Sequence, residues 1–429
     1  MQKVANNINI RSKSITTLFT KNKFLLSFAI EFFCFCLYNV CTMRKIGLYG
    51  GTFDPPHLGH TEMLLQAKKQ LDLDMVIVLP CGDPVHKSGV TNKQQRYEMC
   101  KIAFSGTDGI FVSDYEIEKP EKSYSLYTLR HFAEIYADSE LYFIIGSDSL
   151  EDFPKWYRPE EIAQLCVLTI APRAHHKFNK AKDFAEKTYG ANIVVLKDEP
   201  LNISSTELRY LVQFGLDIDG FVEPEVKEFI TKKGLYCEFN EICQKVRGYL
   251  NHGRYLHTFY TTLEGMKLAK KLGADVKKAF YACLLHDVAK YIDQNDWWQY
   301  GFINNGEYPP SVVHAFLGAL VVQKDFGITD KEIINAIKYH TTGRPNMSDL
   351  EKIVYVADIV EITRGSALDE VRKKVYANFD EGFLACLKSS YNYAARRVGV
   401  ENVHKLTKDA IKSYRKLARE KNEKRKIDQ

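Results

Sequence analysis

Two histidines follow a rigid turn in the stretch "IGLYGGTFDPPHLGH", which begins at Ile46. The apolar run ends at Gly50 and Gly51, which lack Cβ atoms and therefore let the backbone turn tightly and come close to a ligand. Two prolines stiffen the turn, and the helix expected to begin near His57 presents unpaired N–H groups that attract phosphate. His57 and His60 lie on one face of its first turn, where imidazoles can donate hydrogen bonds to a polyphosphate. The stretch predicts an anion site, although a glycine pair alone would favour a plain turn with incidental surface histidines.

A second set of candidates places a histidine or aspartate in each of several apolar helical segments in the C-terminal half. A lone histidine in such a helix is most often a satisfied core residue. Five segments with the same arrangement point to a shared partner, because each buried polar group left unsatisfied costs about 1 to 3 kcal/mol. The members of the set are His257, His286, Asp287, His314, His340 and Asp358.

These residue types predict a metal centre. Adjacent His286 and Asp287 diverge by about 100° on a helix, so the imidazole can bind one metal ion while the carboxylate bridges to a second. Mixed imidazole and carboxylate ligands suit iron, manganese or zinc, and none of the positions is a cysteine, as a structural zinc site would require. Two metal ions about 3.5 to 4 Å apart favour in-line hydrolysis of a phosphate ester or anhydride.

Other residues are candidates for the first site, and each also has an ordinary structural reading. Asp148 follows an apolar strand and a glycine, at the edge of a sheet where ligands bind. The "SST" at 204–206, with Arg209 one turn on, can cap a helix or clamp a phosphate. Trp156 is one of only three tryptophans, and a core position would be its default assignment. Two bases are candidate phosphate contacts or ordinary solvated side chains: Lys87 and Arg96.

The elements that must position these residues change character along the chain. Between Arg44 and about Tyr236, the strand candidates "KIGLYGG", "MVIVLP", "FVSDYEI", "LYFIIGSD", "CVLTIAP" and "IVVLKD" alternate with segments of helical spacing. Strands interleaved with helices imply parallel pairing and a doubly wound α/β sheet of the Rossmann kind. The remainder reads as amphipathic helices, so a boundary near residues 237–245 is expected to separate an α/β domain from an all-α domain.

Composition excludes some function classes. The chain has 429 residues, enough for two domains, and a formal charge of +5. Many basic residues lie in the last segment, which reads as a helix fraying into a basic tail at 416–429, so we infer no binding to nucleic acid. The cysteines are scattered without a C-x-x-C pair, which favours buried thiols in a reducing cytoplasm.

The first 42 residues allow two interpretations. The segment "KNKFLLSFAIEFFCFCLYNVCTM" follows a basic leader and could be a signal or membrane anchor. Glu31 lies in its middle, where an acidic residue would cost roughly 2.5 to 3.5 kcal/mol in a bilayer. The first strand also begins directly afterwards, at Arg44. We expect a start-site artefact or a disordered extension, with Met43 as the natural start and no membrane association; an anchor is the alternative.

The N-terminal motifs resemble those of nicotinate-nucleotide adenylyltransferases. "GGTFDPPHLGH", "GDPVHK", "IGSDSLEDFPKWYRPEEI" and "ISSTELR" occur in the order and approximate spacing of that family, over Arg44 to Tyr236. The resemblance implies a domain at 43–236 in which His57, His60 and Arg209 serve catalysis and Trp156 stacks near the pyridine ring. It also implies nucleotide or substrate contacts at Gly50, Gly51, Thr52, Phe53, Lys87, Arg96, Gly146, Asp148, Ser204, Ser205 and Thr206.

The reaction implied is attack by the phosphate of nicotinate mononucleotide on the α-phosphorus of ATP, with Mg²⁺ held on the ATP phosphates. No side chain need act as nucleophile, because the attacking phosphate is already ionised. Catalysis then consists of aligning two polyanions and neutralising the charge that develops. The alternative is a phosphopantetheine adenylyltransferase, but the "FPKW" and "ISSTELR" elements argue against it. The sequence leaves open whether the substrate is nicotinate or nicotinamide mononucleotide.

The helical part resembles HD-domain metallophosphohydrolases, from about Glu241 to Arg415, and especially the bacterial subfamily that cleaves diadenosine tetraphosphate to two ADP. The resemblance implies a domain at 241–415 with the six residues named above as ligands of a dinuclear metal, iron being favoured over manganese or zinc. After Asp358 the chain reads "VEIT", where relatives often have proline after "VE". Lys290 and Arg344 are further candidates for phosphate contact.

Two alternatives for the helical domain remain: hydrolysis of another phosphorylated nucleotide, such as a mononucleotide or an alarmone, or nucleotide sensing without turnover. A complete ligand set weighs against a sensor. The main prediction is a bifunctional cytoplasmic enzyme whose partners are ATP, nicotinate mononucleotide and a dinucleoside polyphosphate, with a homo-oligomer left open.

Overall fold

The computed structural model describes residues 43–84, 89–104, 106–172 and 178–427. They fall into two units, the first reaching Ser205 and adding Asp219–Lys233, the second comprising Thr206–Ile218 and the chain from Gly234 onward. The predicted N-terminal extension lies outside the described residues. Among those described, no helix is both long and apolar enough to cross a membrane.

The first unit is a doubly wound α/β domain, which confirms the predicted fold class. Its strands are β1 (Arg44–Gly51), β2 (Met75–Pro80), β3 (Asp83–Pro84), β4 (Ile110–Val112), β5 (Lys122–Ser123), β6 (Ser139–Gly146), β7 (Val167–Ala171) and β8 (Ile193–Val195). Its helices are α1 (Leu58–Leu71), α2 (Lys93–Phe104), α3 (Ser125–Ile135), α4 (Ser147–Asp152), α5 (Pro159–Leu165), α6 (Asn179–Tyr189), the start of α7 (Ser205–Gln213) and α8 (Pro224–Lys233).

Six strands form one parallel sheet in the order β4-β2-β1-β6-β7-β8, and β3 pairs separately with β5. The chain winds outward from β1 in one direction and then returns through β6 in the other, so the order reverses between these two strands. Ligands in such sheets bind beyond the carboxyl ends of the strands at this reversal. The topology therefore points to the residues that follow β1 and β6.

The alternation of strands and helices explains most of this unit, but two strands are shorter than expected. The candidate "IVVLKD" forms a strand only as far as Val195. The segment "FVSDYEI" was a strand candidate over its whole length, whereas β4 ends at Val112. The backbone turns there because Ile117 N–H donates to the carbonyl of Asp114 (2.8 Å) and Tyr115 N–H donates to the Ser113 hydroxyl (3.2 Å). Local hydrogen bonds to the hydroxyl of Ser113 and to the backbone carbonyl of Asp114 thus take the place of sheet pairing here.

The second unit is helical, as predicted. It contains the rest of α7, then α9 (Asn240–Arg247), α10 (His252–Leu272), α11 (Val276–Leu285), α12 (Pro310–Phe326), α13 (Lys331–Tyr339), α14 (Asp349–Val360), α15 (Asp369–Ala377), α16 (Phe379–Val398) and α17 (Lys405–Ile427). Short 3-10 turns occur at Gln294–Tyr300, Ile362–Arg364 and Ser366–Leu368.

The segment after Thr206 packs with these helices rather than with the sheet. The Tyr255 hydroxyl, on α10, donates to the carbonyl of Phe214 (2.7 Å), and the Phe214 ring meets Phe259 edge-on at 5.2 Å. The structure thus divides the chain inside α7 and again at Gly234, whereas the sequence places a single boundary near residues 237–245. Only these tertiary contacts, which no local pattern reports, associate 206–218 with the second unit.

Candidate active sites

A cleft of about 850 Å³ opens in the first unit, where β1 and β6 end. Four of the residues predicted from the sequence line it, namely Gly50, Gly51, Thr52 and Trp156. The sequence analysis did not identify further residues that line the cleft, because the fold brings them together from separate segments: Cys81, Glu116, Ser123, Tyr124, Thr128, Lys155, Tyr157 and Arg158. The cleft has the size of a ligand site and lies at the topological switch point of the sheet.

The two histidines of the first motif meet at the start of α1. His57 is the extended residue that precedes the helix, and its backbone N–H donates to Nδ1 of His60 (3.1 Å). The two rings stack with centroids 3.6 Å apart. The N–H of Leu58 donates to the carbonyl of Phe221 (2.8 Å), so one of the free donors of this helix end is already used. The spacing of three residues therefore brings the imidazoles together, as predicted from the helical repeat.

The position of the Phe53 side chain explains why residue 51 is a glycine. Its backbone has φ +50°, its ring is buried, and a Cβ added at Gly51 would lie 2.8 Å from its Cζ. The ring meets Tyr49 at 5.3 Å and His60 at 5.0 Å, both nearly edge-on. The side chain of Phe53 thus packs under the loop, and contact with a nucleotide would have to come from its backbone.

The segment "ISSTELR" contacts the proline turn through a serine hydroxyl. The hydroxyl of Ser205 donates to the carbonyl of Pro55 (2.9 Å), which joins two motifs far apart in the sequence. Ser204 precedes this helix and belongs to the same unit. Thr206 and Arg209 are assigned to the helical unit, where Nη2 of Arg209 donates to the Thr206 hydroxyl (3.3 Å).

The residues after β6 form the other wall. Gly146 ends the strand and precedes α4, whose first turn contains Asp148. Trp156 lines the cleft and meets Phe143 (6.2 Å) and Phe153 (5.5 Å) edge-on. The carboxyl end of β6 therefore carries the predicted carboxylate and the predicted aromatic ring.

The two predicted basic contacts have different outcomes. Lys87 lies outside the described residues. Arg96, on α2, is only 1% exposed and does not line the cleft. Its guanidinium donates to the carbonyls of Thr91 (2.9 Å), Thr52 (2.7 Å) and Gly82 (2.6 Å). The structure therefore does not present Arg96 to the cleft as a direct ligand of phosphate.

The second unit brings all six candidate metal ligands together. Two groups of residues with ligand atoms within 4.8 Å of one another share His286: His257, His286 and Asp358, and His286, Asp287 and His340. His314 completes the set, with Nε2 3.1 Å from Oδ1 of Asp287. Three of them lie within helices, namely His257 on α10, His314 on α12 and Asp358 on α14. The other three directly follow helix ends, His286 and Asp287 after α11 and His340 after α13.

Backbone carbonyls orient two of the imidazoles. Nδ1 of His286 lies 2.7 Å from the carbonyl of Cys283, and Nδ1 of His340 lies 2.7 Å from the carbonyl of Ile337. Each of these histidines follows the last residue of a helix, so a carbonyl near the end of that helix is within reach. A carbonyl acceptor places the proton on Nδ1 and leaves the lone pair of Nε2 for a ligand.

Glu361 orients a third imidazole, and the sequence reading missed it. Its Oε1 lies 3.0 Å from Nδ1 of His257, whose Nε2 lies 3.0 Å from Oδ1 of Asp358. Glu361 also accepts hydrogen bonds from the backbone N–H and the hydroxyl of Thr363 (both 2.6 Å). A signal was present, because Glu361 stands three residues after a candidate ligand at the end of an apolar helix.

The electrostatics of the centre favour charged carboxylates and, in part, neutral imidazoles. Burial opposes ionisation of Asp287, but the surrounding imidazoles outweigh it and hold the pKa of this carboxyl well below its usual range. Asp358 behaves in the same way, with His257 as its main partner. Burial lowers the pKa of His314 to about 4 and also lowers that of His286. Burial lowers the pKa of His257 too, but Asp358 and Glu361 outweigh this effect and raise it.

The donor atoms fit a divalent metal. In the described part of the chain, buried Nε2 of His286 and Oδ1 of Asp287 make no hydrogen bond of good geometry, although imidazole nitrogens approach that oxygen to 3.1 and 3.7 Å. Imidazole nitrogens and carboxylate oxygens in one buried cluster are the ligands that iron, manganese and zinc accept. This donor set therefore fits a divalent-metal centre.

Three cations flank the centre. Nη1 of Arg254 lies 2.9 Å from Oδ2 of Asp287, and Nη2 of Arg364 lies 2.6 Å from Oδ1 of Asp358. Nζ of Lys290 lies 3.2 Å from Nε2 of His314, as expected for a base near the ligands.

The other predicted base, Arg344, is engaged elsewhere. Its guanidinium forms a two-bond ion pair with the buried carboxylate of Glu351, at 2.8 and 3.0 Å. Glu351 also accepts from the backbone N–H of Ser348 (2.6 Å) and so caps α14. Arg344 therefore stabilises a helix start, and phosphate would have to displace a bidentate carboxylate to reach it.

Comparison with known proteins separates the same two parts. The Cytidylyltransferase-like family matches residues 48–211, and the HD domain family matches residues 254–363. A Clostridium botulinum protein named probable nicotinate-nucleotide adenylyltransferase is 42% identical over 201 residues, which are 46% of this chain and 100% of that protein.

A second relative spans both parts. It is a Mycoplasma genitalium protein named probable nicotinate-nucleotide adenylyltransferase/Ap4A hydrolase, 30% identical over 366 residues, which cover 81% of this chain and 98% of that protein. Among solved structures, an HD superfamily hydrolase described as involved in NAD metabolism, from Clostridium acetobutylicum, is 29% identical, with a TM-score of 0.39. The match covers 41% of this chain and 96% of that one.

Proposed function

The chain belongs to the nicotinate-nucleotide adenylyltransferase family, in the form that carries a C-terminal HD domain, and from this premise we propose that its first unit adenylylates nicotinate mononucleotide. The observation that carries the proposal is the cleft at the switch point, lined by the glycine pair on one side and by Trp156 on the other. A polyphosphate suits the glycine loop, and a flat pyridine ring suits the indole.

In the reaction, an oxygen of the mononucleotide 5′-phosphate attacks the α-phosphorus of ATP. The bond between that phosphorus and the oxygen bridging to the β-phosphate breaks, and pyrophosphate leaves with the electron pair. The stacked pair His57 and His60 supplies hydrogen-bond donors to the phosphates, and the hydroxyls of Ser204 and Ser205 contribute further contacts. Asp148 and Lys87 contact nucleotide, and Mg²⁺ is held mainly by ATP and water.

The test compares substrates. The purified full chain is incubated with Mg-ATP and nicotinate mononucleotide, nicotinamide mononucleotide or phosphopantetheine, and the adenylylated product and pyrophosphate are measured. We expect nicotinate mononucleotide to give the highest kcat/KM. Preference for phosphopantetheine would contradict the proposal, and preference for the nicotinamide nucleotide would change its substrate while keeping the reaction.

For the second unit, we propose hydrolysis of diadenosine tetraphosphate to two ADP at a dinuclear metal centre, with iron as the favoured metal. The convergence of four imidazoles and two carboxylates, from within or directly after five helices, supports the centre. Metal ions bound there would activate water and neutralise phosphate charge. The chain's own residues hold the ligands in place, and Arg254, Lys290 and Arg364 present positive charge to a polyphosphate.

The specific substrate is taken from the name of the Mycoplasma relative, so the experiment screens for it. The full chain, loaded with iron, manganese or zinc, is given diadenosine tetraphosphate, mononucleotides and guanosine polyphosphates, and bound metal is measured on the same samples. ADP as the sole product from the tetraphosphate supports the proposal. Cleavage of another nucleotide would reassign the substrate, and nucleotide binding with no turnover under any metal would favour a sensing module.

We also place the protein in the cytoplasm, as the sequence predicts. Each described cysteine is a free thiol, including buried Cys100, Cys243, Cys283 and Cys386, and free thiols persist in reducing compartments. Cell fractionation with an antibody to the full chain tests this, and recovery with membranes would contradict it.

A further inference from the structure

Arg96 joins the ends of two neighbouring strands in the first unit. Thr52 follows β1 and Gly82 lies just beyond β2, and the guanidinium donates to the carbonyls of both, at 2.7 and 2.6 Å. Its Nε donates to the carbonyl of Thr91 (2.9 Å). A rigid fork with several donors suits this three-way contact, whereas the single ammonium of lysine does not reproduce it.

Among the described residues, no carboxylate forms an ion pair with this side chain. Arg96 is 1% exposed, and no described carboxylate lies within ion-pair distance of it. Burying a cation on carbonyl dipoles alone is costly, so a purely structural tie would more economically use a neutral side chain. A buried positive charge one residue away from a cleft for polyphosphates favours the anionic ligand as well as the loop conformation.

The loop that Arg96 holds is strained and depends on outside contacts. Phe53, directly after Thr52, has φ +50°, a left-handed backbone conformation that is unfavourable for a bulky residue. Thr52 lines the cleft and its carbonyl accepts from Arg96, so this hydrogen bond fixes the peptide that joins Thr52 to Phe53. In a trans peptide the carbonyl and the following N–H point in opposite directions, so a fixed carbonyl also fixes the direction of the Phe53 N–H.

The neighbouring loop is fixed from both sides. Gly82 N–H donates to the hydroxyl of Ser123 (3.1 Å) and, more weakly, to Oε2 of Glu116 (3.4 Å), while its carbonyl accepts from Arg96. A Cβ at Gly82 would lie 2.3 Å from the carbonyl oxygen of Glu116, so no side chain fits. The amide of Cys81 donates to the carbonyl of Gly51 (2.8 Å) and ties this loop to the glycine turn.

We propose that Arg96 is a positioning residue for the ATP polyphosphate, which acts through the carbonyls of Thr52 and Gly82 and not by touching phosphate. The inference rests on the adenylyltransferase function proposed above. It predicts that loss of the guanidinium loosens the two loops before any substrate binds, and that the loss then weakens ATP binding far more than binding of the mononucleotide.

The test uses the full chain with Arg96→Met, Arg96→Lys and the control Lys101→Met, an exposed base on the same helix. Hydrogen exchange is measured without substrate at the amides of Cys81, Gly82 and Thr91, each of which donates a described hydrogen bond. We expect at least tenfold faster exchange in both Arg96 variants, confined to these loops. KM for ATP should rise at least tenfold, KM for nicotinate mononucleotide should change less than threefold, and hydrolysis by the second unit should be unchanged.

Unchanged exchange with a raised KM for ATP would indicate direct phosphate contact and overturn the proposal. Faster exchange throughout the first unit would indicate a general structural role and overturn it as well. Should Arg96→Met fail to fold, Arg96→Lys, which keeps the charge and most of the volume, carries the same readouts. Absence of adenylyl transfer by the unmodified chain would refute the proposed function instead, and the exchange data would still judge the role of Arg96 in the loops.

Discussion

The carboxylate of Glu361 lies 3.0 Å from Nδ1 of His257, on the side of the ring opposite the metal-ligand cluster. The same carboxylate accepts two hydrogen bonds from Thr363, which fix its own position. A carboxylate behind a ligating histidine sets its tautomer and raises its basicity. Glu361 is therefore a structural part of the centre although it does not reach the metal position.

We expect Glu361→Gln to lower metal affinity by about 10- to 100-fold, the range found when such a supporting partner is removed. Metal bound per chain is measured after dialysis against a graded chelator, and it should fall before hydrolase activity at saturating metal does. Glu370→Gln, on an exposed residue paired with Lys373, is the matched control. Equal metal retention in both variants would show that His257 needs no such partner.

His60→Ala should lower kcat of adenylyl transfer far more than it lowers stability. The imidazole stacks on His57 and accepts from its backbone N–H, so some helix-end stability is lost, of order 1 kcal/mol. Loss of a donor to developing phosphate charge costs about 100- to 1,000-fold in kcat.

Thermal unfolding and kcat are measured together, with His131→Ala as control, because His131 stacks on Tyr115 and does not line the cleft. Hydrolysis by the second unit serves as an internal check that each variant is folded. A parallel loss of melting temperature and turnover in His60→Ala would mean that this histidine is structural.

The metal-free second unit should lose stability as the pH falls, in part because of His314. Burial lowers the pKa of His314 to about 4, whereas an exposed imidazole has a pKa of about 6.5. Between these values the unfolded chain binds the proton and the folded chain does not, so the contribution is present in full above pH 6.5 and is lost as the pH falls towards 4. Its size is about 3 kcal/mol.

The measurement compares unfolding of the chelator-treated wild type and His314→Gln between pH 4 and 8, with hydrogen exchange to assign the transition of the helical unit. The variant should show the weaker pH dependence. The raised pKa of His257 acts in the opposite sense in both proteins, so the difference between them isolates His314. Identical slopes would contradict the effect of burial on this imidazole.

The ligand set was predictable from the sequence because each ligand lies within or directly after an apolar helix, and helical spacing is a local property. The glycine turn and the stacked histidines follow from equally local rules. Arg96 could not be read in this way, because its acceptors are backbone carbonyls of other loops, and the sequence gives no sign of which carbonyls an arginine will reach. The assignment of 206–218 to the helical unit likewise depends on the contact of Phe214 with α10.

The close packing of α10 and α11 requires a glycine at position 265. Gly265 lies on α10, which carries His257, and a Cβ there would lie 2.3 Å from Sγ of Cys283 on α11, which leads into His286. Gly265→Ala should therefore push the helices apart and destabilise the unit by about 1 to 3 kcal/mol. The rings of His257 and His286, now 5.4 Å apart, should separate, and metal content should fall with stability.

Cys283→Ala removes the atom that clashes, so it provides the compensating change. Alone it should cost about 1 kcal/mol for lost packing of a buried thiol. Combined with Gly265→Ala it should recover most of the stability and metal content, because the new methyl occupies the space that the sulfur leaves. Denaturant unfolding and metal analysis of the four proteins give the coupling energy directly. If the double variant instead loses the sum of the two single losses of stability, the two side chains do not compete for one space. This contact would then not determine the distance between α10 and α11.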